Sequence, residues 1–575
     1  VIPTAKEVLE VIAASTAAGE FLEVCERDIG GRRHKIYKHA AETVIALLQS
    51  ARNYGDAEFI VYEDQRLSYR EFFERADAFA AMLQKRFDVH KGDRVAIAMR
   101  NSPQWAIAFV AATLVGAIVV PINSWGKAEE LSIAITNCGA KCVAVDFARY
   151  QLIADRIADF RIDVFVTEAA ELPTQSRVFQ LDDIVGRGRS LAYDIDTASA
   201  TDTCIILYTS GSTGFPKGVP HQHIAICQAL MNMLHTGMVL MRLEGLRELK
   251  GGATRETPML TVPLFHATGL LTGFLLPLQM GQKIVIMRKW DAVKALQLIE
   301  AEKITSLSTV PAILKDFLGH PEFDRYNTSS LSRVGAGGAA TPAGLPELIE
   351  EKLGEVSRSA GYGMTETMAV TASTSGVIFS LKPLSSGPIS PIMQIRFTDA
   401  EDRVLPPGES GEIQLRGITC MVGYWEKPEA TREVFTADGW FKTGDVGCID
   451  NDGFLHITGR IKEMVIRGGE NIYPIEIEQA AYKHAAVKEV VVFGVDDAAM
   501  GEELGMVCHL ANDEHLSEDG LRKHLASQLA GFKVPKYIAF SSEPLPRNAS
   551  EKLHKLRVRE EFFAGCFAVS DGRTT

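Results

Sequence analysis

Short β-branched runs recur along most of the chain, each separated from the next by a longer amphipathic stretch: Arg94–Met99, Ala117–Val120, Cys142–Val145, Val164–Val166, Cys204–Tyr208 and Lys283–Ile286. Strand-length apolar runs alternating with helix-length segments predict parallel sheets layered between helices. From about Ile395 the pattern shifts to shorter strands and Gly turns, as in Glu412–Arg416 and Gly453–Thr458, which predicts a β-rich subdomain over about 395–459. Beyond Gly459-Arg460 the chain has strand and helix content of its own, through Ile477, Val490–Phe493 and Leu521–Leu529, the profile of a separate small domain. The fold class that follows is α/β. A large N-terminal domain, 1–459, carries the layered parallel sheets; a smaller, mobile α+β domain occupies 463–575. Residues 1–45 read as a helical extension on the surface, and Arg242–Thr257 as a long polar loop.

With 575 residues, 46% of them hydrophobic and 23% charged, the chain is an enzyme-sized globular protein, and disordered or fibrous classes are excluded. Sixty basic against seventy-three acidic side chains give a formal charge of −13. No global field then draws nucleic acid or anionic lipid, so an anionic ligand must be held by local groups. The nine Cys form no Cys-x-x-Cys pair, which disfavours a zinc knuckle, and with no secretory leader legible the expectation is reduced thiols in the cytoplasm. Trp105–Ile122 is apolar enough to span a membrane, but Pro103, Gly116 and Pro121 divide it into helix, turn and buried strand. No transmembrane segment is expected; peripheral membrane contact stays open.

The segment Tyr208-Thr-Ser-Gly-Ser-Thr-Gly-Phe-Pro-Lys-Gly218 follows a β-branched strand and precedes a helical stretch beginning near His223. Gly211 and Gly214 permit backbone conformations closed to other residues, Thr209, Ser210, Ser212 and Thr213 supply hydroxyls, and Lys217 adds a point charge. Such a segment can cradle a polyphosphate. It is not a Walker A loop: the spacing puts Pro216 where the second glycine belongs and Gly218 where a hydroxyl belongs. A flexible Ser/Gly surface turn is the plainer alternative.

Further segments stand in a recognisable order: Pro263-Leu-Phe-His266, Gly335-Ala-Gly-Gly-Ala339, Gly361-Tyr-Gly-Met-Thr-Glu366, Trp440–Asp445, Gly459–Lys462, Arg467–Pro474 and Pro546–Lys552. With the Thr209–Gly218 segment they make the sequence resemble the adenylate-forming superfamily, which includes acyl-CoA synthetases, luciferases and peptide-synthetase adenylation domains. The resemblance spans nearly the whole chain, and the form of Arg467–Pro474 points to the acyl-CoA branch.

The resemblance implies ATP, Mg2+ and coenzyme A. It implies nucleotide binding by Thr209 to Gly214 and Lys217, by Gly337, Gly338 and Ala339, by Gly361, Tyr362, Gly363, Met364 and Thr365, and by Asp445, Ile457 and Arg460. Tyr362 would lie against the adenine, Asp445 would accept bonds from the ribose hydroxyls, and Glu366 would hold the metal. Thr209, Lys217, Glu366 and Lys552 would serve catalysis, Lys552 by bridging the attacking carboxylate and the α-phosphate. Here Glu551 stands where the family has glycine. His266, Gly335, Ala336, Gly337 and Gly363 would face the acid; the apolar context of Leu264, Leu270, Leu271 and Phe274, read from the residues themselves, suggests a fatty, aromatic or alicyclic one. Gly468, Gly469 and Glu470 would meet the CoA arm, and Lys462 would be the pivot of a hinge at 460–462.

Plainer readings stand beside these. Glu366 is also a helix N-terminal acid, Asp445 a turn residue, Arg460 a surface cation, Gly468-Gly469 a β-turn and Lys552 part of a solvated basic tail. His221 and His223 read as structural, fixing the loop after Gly218. Gly335–Ala340 imitates a dinucleotide fingerprint, but the acidic ribose ligand that should follow the next strand is missing. The expected function is therefore ligation of a hydrophobic carboxylic acid to CoA through an acyl-adenylate, by a homodimer. A carrier-protein acceptor, luciferase-type oxygenation, an oxidoreductase and a regulator that has lost catalysis are the rivals.

Overall fold

Strands rich in Val, Ile and Ala and buried on both faces, Arg94–Ala98, Ile118–Pro121, Ala140–Asp146 and Asp163–Thr167, form the parallel centre of one sheet, and a second sheet with more polar strands lies beside it. The computed structural model describes residues 2–172, 176–209, 216–245, 256–309, 311–354, 356–369, 371–511, 515–547 and 552–569, less the segment 337–344. In the first sheet the order is Lys217–Gln222, Thr203–Thr209, Ile118–Pro121, Arg94–Ala98, Ala140–Asp146, Asp163–Thr167 and Val178–Gln180. All neighbours in it are parallel except the first pair. The second sheet runs Ala372–Ser375, Ser357–Tyr362, Arg333–Ala336, Ser306–Thr309, Pro258–Leu260, Ile284–Ile286, Glu58–Tyr62 and Gln65–Ser68, parallel in its centre and antiparallel at both edges.

The membrane-length stretch resolves as its punctuation predicts. Ser102 caps the helix Pro103–Leu114 by accepting from Trp105 N, every residue of that helix is buried, and Gly116, at φ +75°, turns the chain into the strand Ile118–Pro121. Among the described residues one helix, His223–Leu243, is long and apolar enough to cross a membrane, and 67% of its most apolar window is buried within the protein.

The extension at 1–45 is not simply helical. A capped helix, Ala5–Ser15, is followed by a hairpin of Val24–Ile29 and Arg32–Tyr37 about Gly30-Gly31, both in the left-handed region. The charged faces of these strands, Glu26, Arg27, Arg32 and Arg33 among them, hide the strand signal. The hairpin is fastened to the helix His223–Leu243. Gln228 accepts from Tyr37 N at 2.7 Å and donates to Tyr37 O at 3.0 Å, while the Tyr37 hydroxyl donates to Asn232 at 2.9 Å. Of the polar loop at 242–257, residues 246–255 lie outside the described residues.

A third, antiparallel sheet carries the β-rich pattern, in the order Gly387–Pro388, Phe454–Arg460, Phe441–Ile449, Gly411–Gly417 and Met393–Thr398. It ends at a 3-10 turn, Ile461–Glu463, beyond which Val465–Arg467 starts a fourth sheet with Glu470–Ile472, Val487–Asp497, Gly501–Leu510, Tyr537–Ser541 and Ala568–Val569. This last sheet has apolar clusters of its own, one around Ile477, Val492 and Leu521, the other around Val491, Val507 and Val558.

Candidate active site

Antiparallel pairing sets the first constellation. In the third sheet Asp445 stands directly opposite Arg460, so the register alone brings their side chains together across strands fifteen residues apart in sequence. Arg460 Nε lies 2.8 Å from Asp445 Oδ1, and the Tyr362 hydroxyl donates to Asp445 Oδ2 at 2.8 Å. Asp445 N in turn is bonded to Thr443 Oγ1 at 3.1 Å. Burial raises the Asp445 carboxyl above the ordinary carboxylate range, with the Arg460 charge and the Tyr362 hydroxyl opposing it.

The second constellation is built on the loop predicted to cradle phosphate, and the structure corrects its setting. Thr209 ends one strand and Lys217 begins the next, paired opposite each other, so the loop joins two antiparallel strands; the helix starts only at His223, a strand later. A helix N-terminus therefore does not close the cradle. The β-branched content of Lys217–Gln222 is limited to Val219, which is why the strand was not legible. Ser210, Gly211, Ser212, Thr213 and Gly214 lie outside the described residues, as do Gly337, Gly338, Ala339 and Glu551.

Glu366 sits on a one-turn 3-10 segment, Thr365–Thr367, after the strand Ser357–Tyr362. Its backbone oxygen accepts from Met421 N at 2.7 Å, and its Oε1 accepts from the Tyr424 hydroxyl at 3.0 Å. Burial raises its pKa. Nothing local in the sequence marks Tyr424. It follows Gly423 in a segment without periodicity, and only tertiary packing brings it to Glu366 and puts Lys217 Nζ 4.8 Å from its ring centre.

Lys552 arrives from the C-terminal sheet's side. Its loop is closed by a bridge between Arg547 and Leu553, and Arg547 is anchored 2.5 Å from Glu489, which also accepts from Leu545 N at 2.6 Å. Lys552 lines the cleft within reach of solvent; enclosure by protein and the nearby Arg460 charge lower its pKa.

These groups share one cleft of about 3370 Å³ between the third sheet, the two parallel sheets and the C-terminal sheet. Thr209, Lys217, His266, Gly361 to Glu366, Asp445, Ile457, Arg460, Lys462 and Lys552 all line it. Gly335 and Ala336 end a strand behind it; a side chain at Gly335 would come within 2.9 Å of Ser308 Oγ and 3.0 Å of Ser359 Oγ. Leu264, Leu270, Leu271 and Phe274 do not line the cleft: they are buried in the main hydrophobic core, where Phe274 packs against Trp105 and Phe109. Gly468 and Gly469, at φ +59° and +90°, form the two-residue turn of the hairpin Val465–Ile472, and they and Glu470 lie away from the cleft lining.

The histidines are structural in an unexpected way. His221 Nε2 lies 2.7 Å from the Thr365 carbonyl, so it fastens the Glu366 turn and not the loop after Gly218; His223 Nδ1 accepts from Val44 N at 3.2 Å. Burial lowers His221, His223, His235 and His266 to about 4 from the ordinary 6.5, with the Lys552 charge adding to the effect on His266. Each is neutral at pH 7, and unfolding below pH 6.5 lets each bind a proton that the folded chain refuses until about pH 4. Their contribution to stability is thus complete above pH 6.5 and declines as pH falls toward 4. In histidine-labelled protein, four imidazole resonances are expected to hold their neutral shifts down to about pH 5; four ordinary titration curves near 6.5 would contradict the burial.

The AMP-binding enzyme family model matches residues 47–425, and the model of the AMP-binding enzyme C-terminal domain matches 476–552. A CoA ligase for a dioxo-octahydroindenyl propanoyl group from Rhodococcus jostii is 33% identical over 538 residues, covering 90% of this chain and 98% of that protein. A feruloyl-CoA synthase from Amycolatopsis is 32% identical, covering 86% and 94%. The structure of ATP-bound MatB from Rhodopseudomonas palustris superposes with a TM-score of 0.77 at 28% identity, over 90% of this chain and 99% of that one. Matched by both family models and by CoA ligases at more than 30% identity along nearly their whole length, the chain belongs to the AMP-binding enzymes and is an acyl-CoA ligase of the adenylate-forming superfamily.

Proposed function

We propose that the cleft performs the first half-reaction in the arrangement described and that the second needs the small domain to turn. In the first, a carboxylate oxygen attacks the α-phosphorus of ATP, the bond to pyrophosphate breaks, and acyl-adenylate forms. In the second, the CoA thiolate attacks the acyl carbon and AMP leaves with the bonding electrons.

Asp445 accepts from the ribose hydroxyls with Arg460 beside it, and Thr209 and Lys217 face the phosphates. Lys552 lies where the carboxylate and α-phosphate must approach, and a cation there lowers the cost of bringing two anions together. One half-buried carboxylate, Glu366, together with phosphate oxygens is the donor set that suits Mg2+, and the described residues hold no cluster of three or more His, Cys, Asp or Glu that would make a protein-only cage. Magnesium, when bound there, offsets the triphosphate charge.

The boundaries 1–459 and 463–575, with a pivot at Lys462, fit the placement of the Ile461–Glu463 turn between the third and fourth sheets. Gly468, Gly469 and Glu470 can serve CoA only after rotation, since they lie outside the cleft lining here. His266, neutral and tilted against Phe265 at 4.4 Å between ring centres, serves as an apolar wall for the acid and not as a proton carrier. This wall suits a fatty, aromatic or alicyclic acid, and the ring-bearing acids named for the two relatives above are the first to try.

The observation that carries the reading is the convergence of Glu366, Asp445–Arg460 and Lys552, from three separate segments, on one cleft. Carboxylate-dependent exchange of pyrophosphate into ATP is the test. Exchange is expected with ring-bearing acids, followed by consumption of CoA; a broad acid panel that gives no exchange would sink the proposal.

A further inference from the structure

Two groups expected to grip the triphosphate end have opposite charge and share one cleft: the Lys217 ammonium and the Glu366 carboxylate. Left to themselves they would collapse into an ion pair and have to be separated before any ligand could enter. Among the described residues they form none, and Tyr424 stands between them. Its hydroxyl donates to Glu366 Oε1 at 3.0 Å, and its ring presents a face to Lys217 Nζ at 4.8 Å.

The segment that carries Tyr424 is itself sewn to both neighbours. Met421 N donates to Glu366 O at 2.7 Å, Trp425 N donates to Gly218 O at 2.8 Å, and Tyr424 N donates to Thr431 Oγ1 at 2.9 Å. Residues 421–425 thus span the gap from the Glu366 turn to the start of the Lys217 strand. The ring lies against the small apolar cluster of Val219, Met421 and Phe441, which fixes its plane.

We propose that Tyr424 is a positioning residue for acyl-adenylate formation: with its hydroxyl and its ring face it holds Glu366 and Lys217 apart and aimed, so that a cation and a triphosphate can enter between them. The claim rests on the roles given above to Glu366 and Lys217. The hydroxyl end orients the carboxylate by a charge-assisted hydrogen bond, and the ring end restrains a flexible lysine by cation–π attraction. Burial keeps the phenol protonated, so it donates.

Tyr424→Phe removes the hydroxyl and keeps the ring; Tyr424→Leu removes both. In Tyr424→Phe the Mg2+ concentration for half-maximal pyrophosphate exchange is expected to rise about tenfold, the loss of one hydrogen bond to a charged group. Tyr424→Leu is expected to raise the KM for ATP as well. Binding supplies a readout independent of turnover. By calorimetry, the gain in ATP affinity on replacing EDTA with Mg2+ should shrink in Tyr424→Phe, while thiolation of supplied acyl-adenylate keeps its wild-type rate and the melting temperature is retained.

A double-variant cycle identifies the route of the effect. If Tyr424 acts through Glu366, Glu366→Gln with Tyr424→Phe is no worse than Glu366→Gln alone, whereas a purely structural role gives additive losses. Wild-type Mg2+ dependence and calorimetry in Tyr424→Phe, beside a clear loss in Glu366→Gln, would overturn the positioning role and leave the function standing. Unchanged Mg2+ dependence in Glu366→Gln itself would overturn the metal role of Glu366, and the role of Tyr424 with it.

Discussion

Replacing Lys552 with Ala is expected to slow acyl-adenylate formation roughly a hundredfold to a thousandfold, the range for removing one charge-stabilising donor from an enclosed site. Thiolation of supplied acyl-adenylate should be nearly unaffected. The asymmetry follows from geometry. Lys552 belongs to the C-terminal part of the chain, yet it lines the same cleft as Arg460 and Asp445, which under the proposed roles puts it at the first reaction. Leu553, beside it, is bridged to Arg547, which is paired with Glu489, a stem that ties Lys552 to the C-terminal sheet. The proposed rotation would carry stem and lysine away together. Rapid-quench measurement of the two half-reactions separates the outcomes: equal slowing of both would mean that Lys552 stays in place throughout, and the division of labour between two arrangements would be lost. Lys552→Arg keeps the charge but replaces a compact ammonium by a broad fork, and should recover only part of the rate.

The parts of this molecule that could be read from the sequence are those whose signal is local. Val, Ile and Ala runs mark the parallel strands because such strands are buried on both faces, and Pro103, Gly116 and Pro121 mark where helix, turn and strand change. Asp445, Arg460 and Glu366 were found as members of ordered motifs, but nothing in their spacing shows that Asp445 and Arg460 are cross-strand partners; that depends on the register of the Phe441–Ile449 and Phe454–Arg460 strands. The strand Lys217–Gln222 was hidden by Pro220, His221 and Gln222, which carry no β pattern. Leu264, Leu270, Leu271 and Phe274 misled for the opposite reason: a hydrophobic run near a site motif looks the same whether it faces a ligand or the core, and here the core took it. Tyr424 shows the limit most clearly. Its importance lies in two contacts with residues 58 and 207 positions away in the chain, and no window of sequence contains them.

The second large effect is expected at Asp445. Its carboxylate is almost fully buried, with 5% of the side chain exposed, whereas Arg460 is 62% exposed. In Asp445→Ala the guanidinium can therefore turn to water, and the lost pair should cost stability only about 1 kcal/mol, as for an accessible ion pair. Nucleotide binding should suffer far more. Two hydrogen bonds from ribose hydroxyls to a charged acceptor, at about 1.5 kcal/mol or more each, correspond to a rise of roughly a hundredfold in the KM for ATP. The Tyr362 hydroxyl donates to this carboxylate, so Tyr362→Phe should give a smaller rise of the same kind by loosening Asp445. Substrate modification separates loss of ribose recognition from general damage. Wild-type enzyme should discriminate strongly against 2′-deoxy-ATP, while Asp445→Ala, already without the acceptor, should use ATP and 2′-deoxy-ATP almost equally. Persistence of full discrimination in Asp445→Ala would show that the ribose is read elsewhere, and the pair would then be only a clasp between the Phe441–Ile449 and Phe454–Arg460 strands.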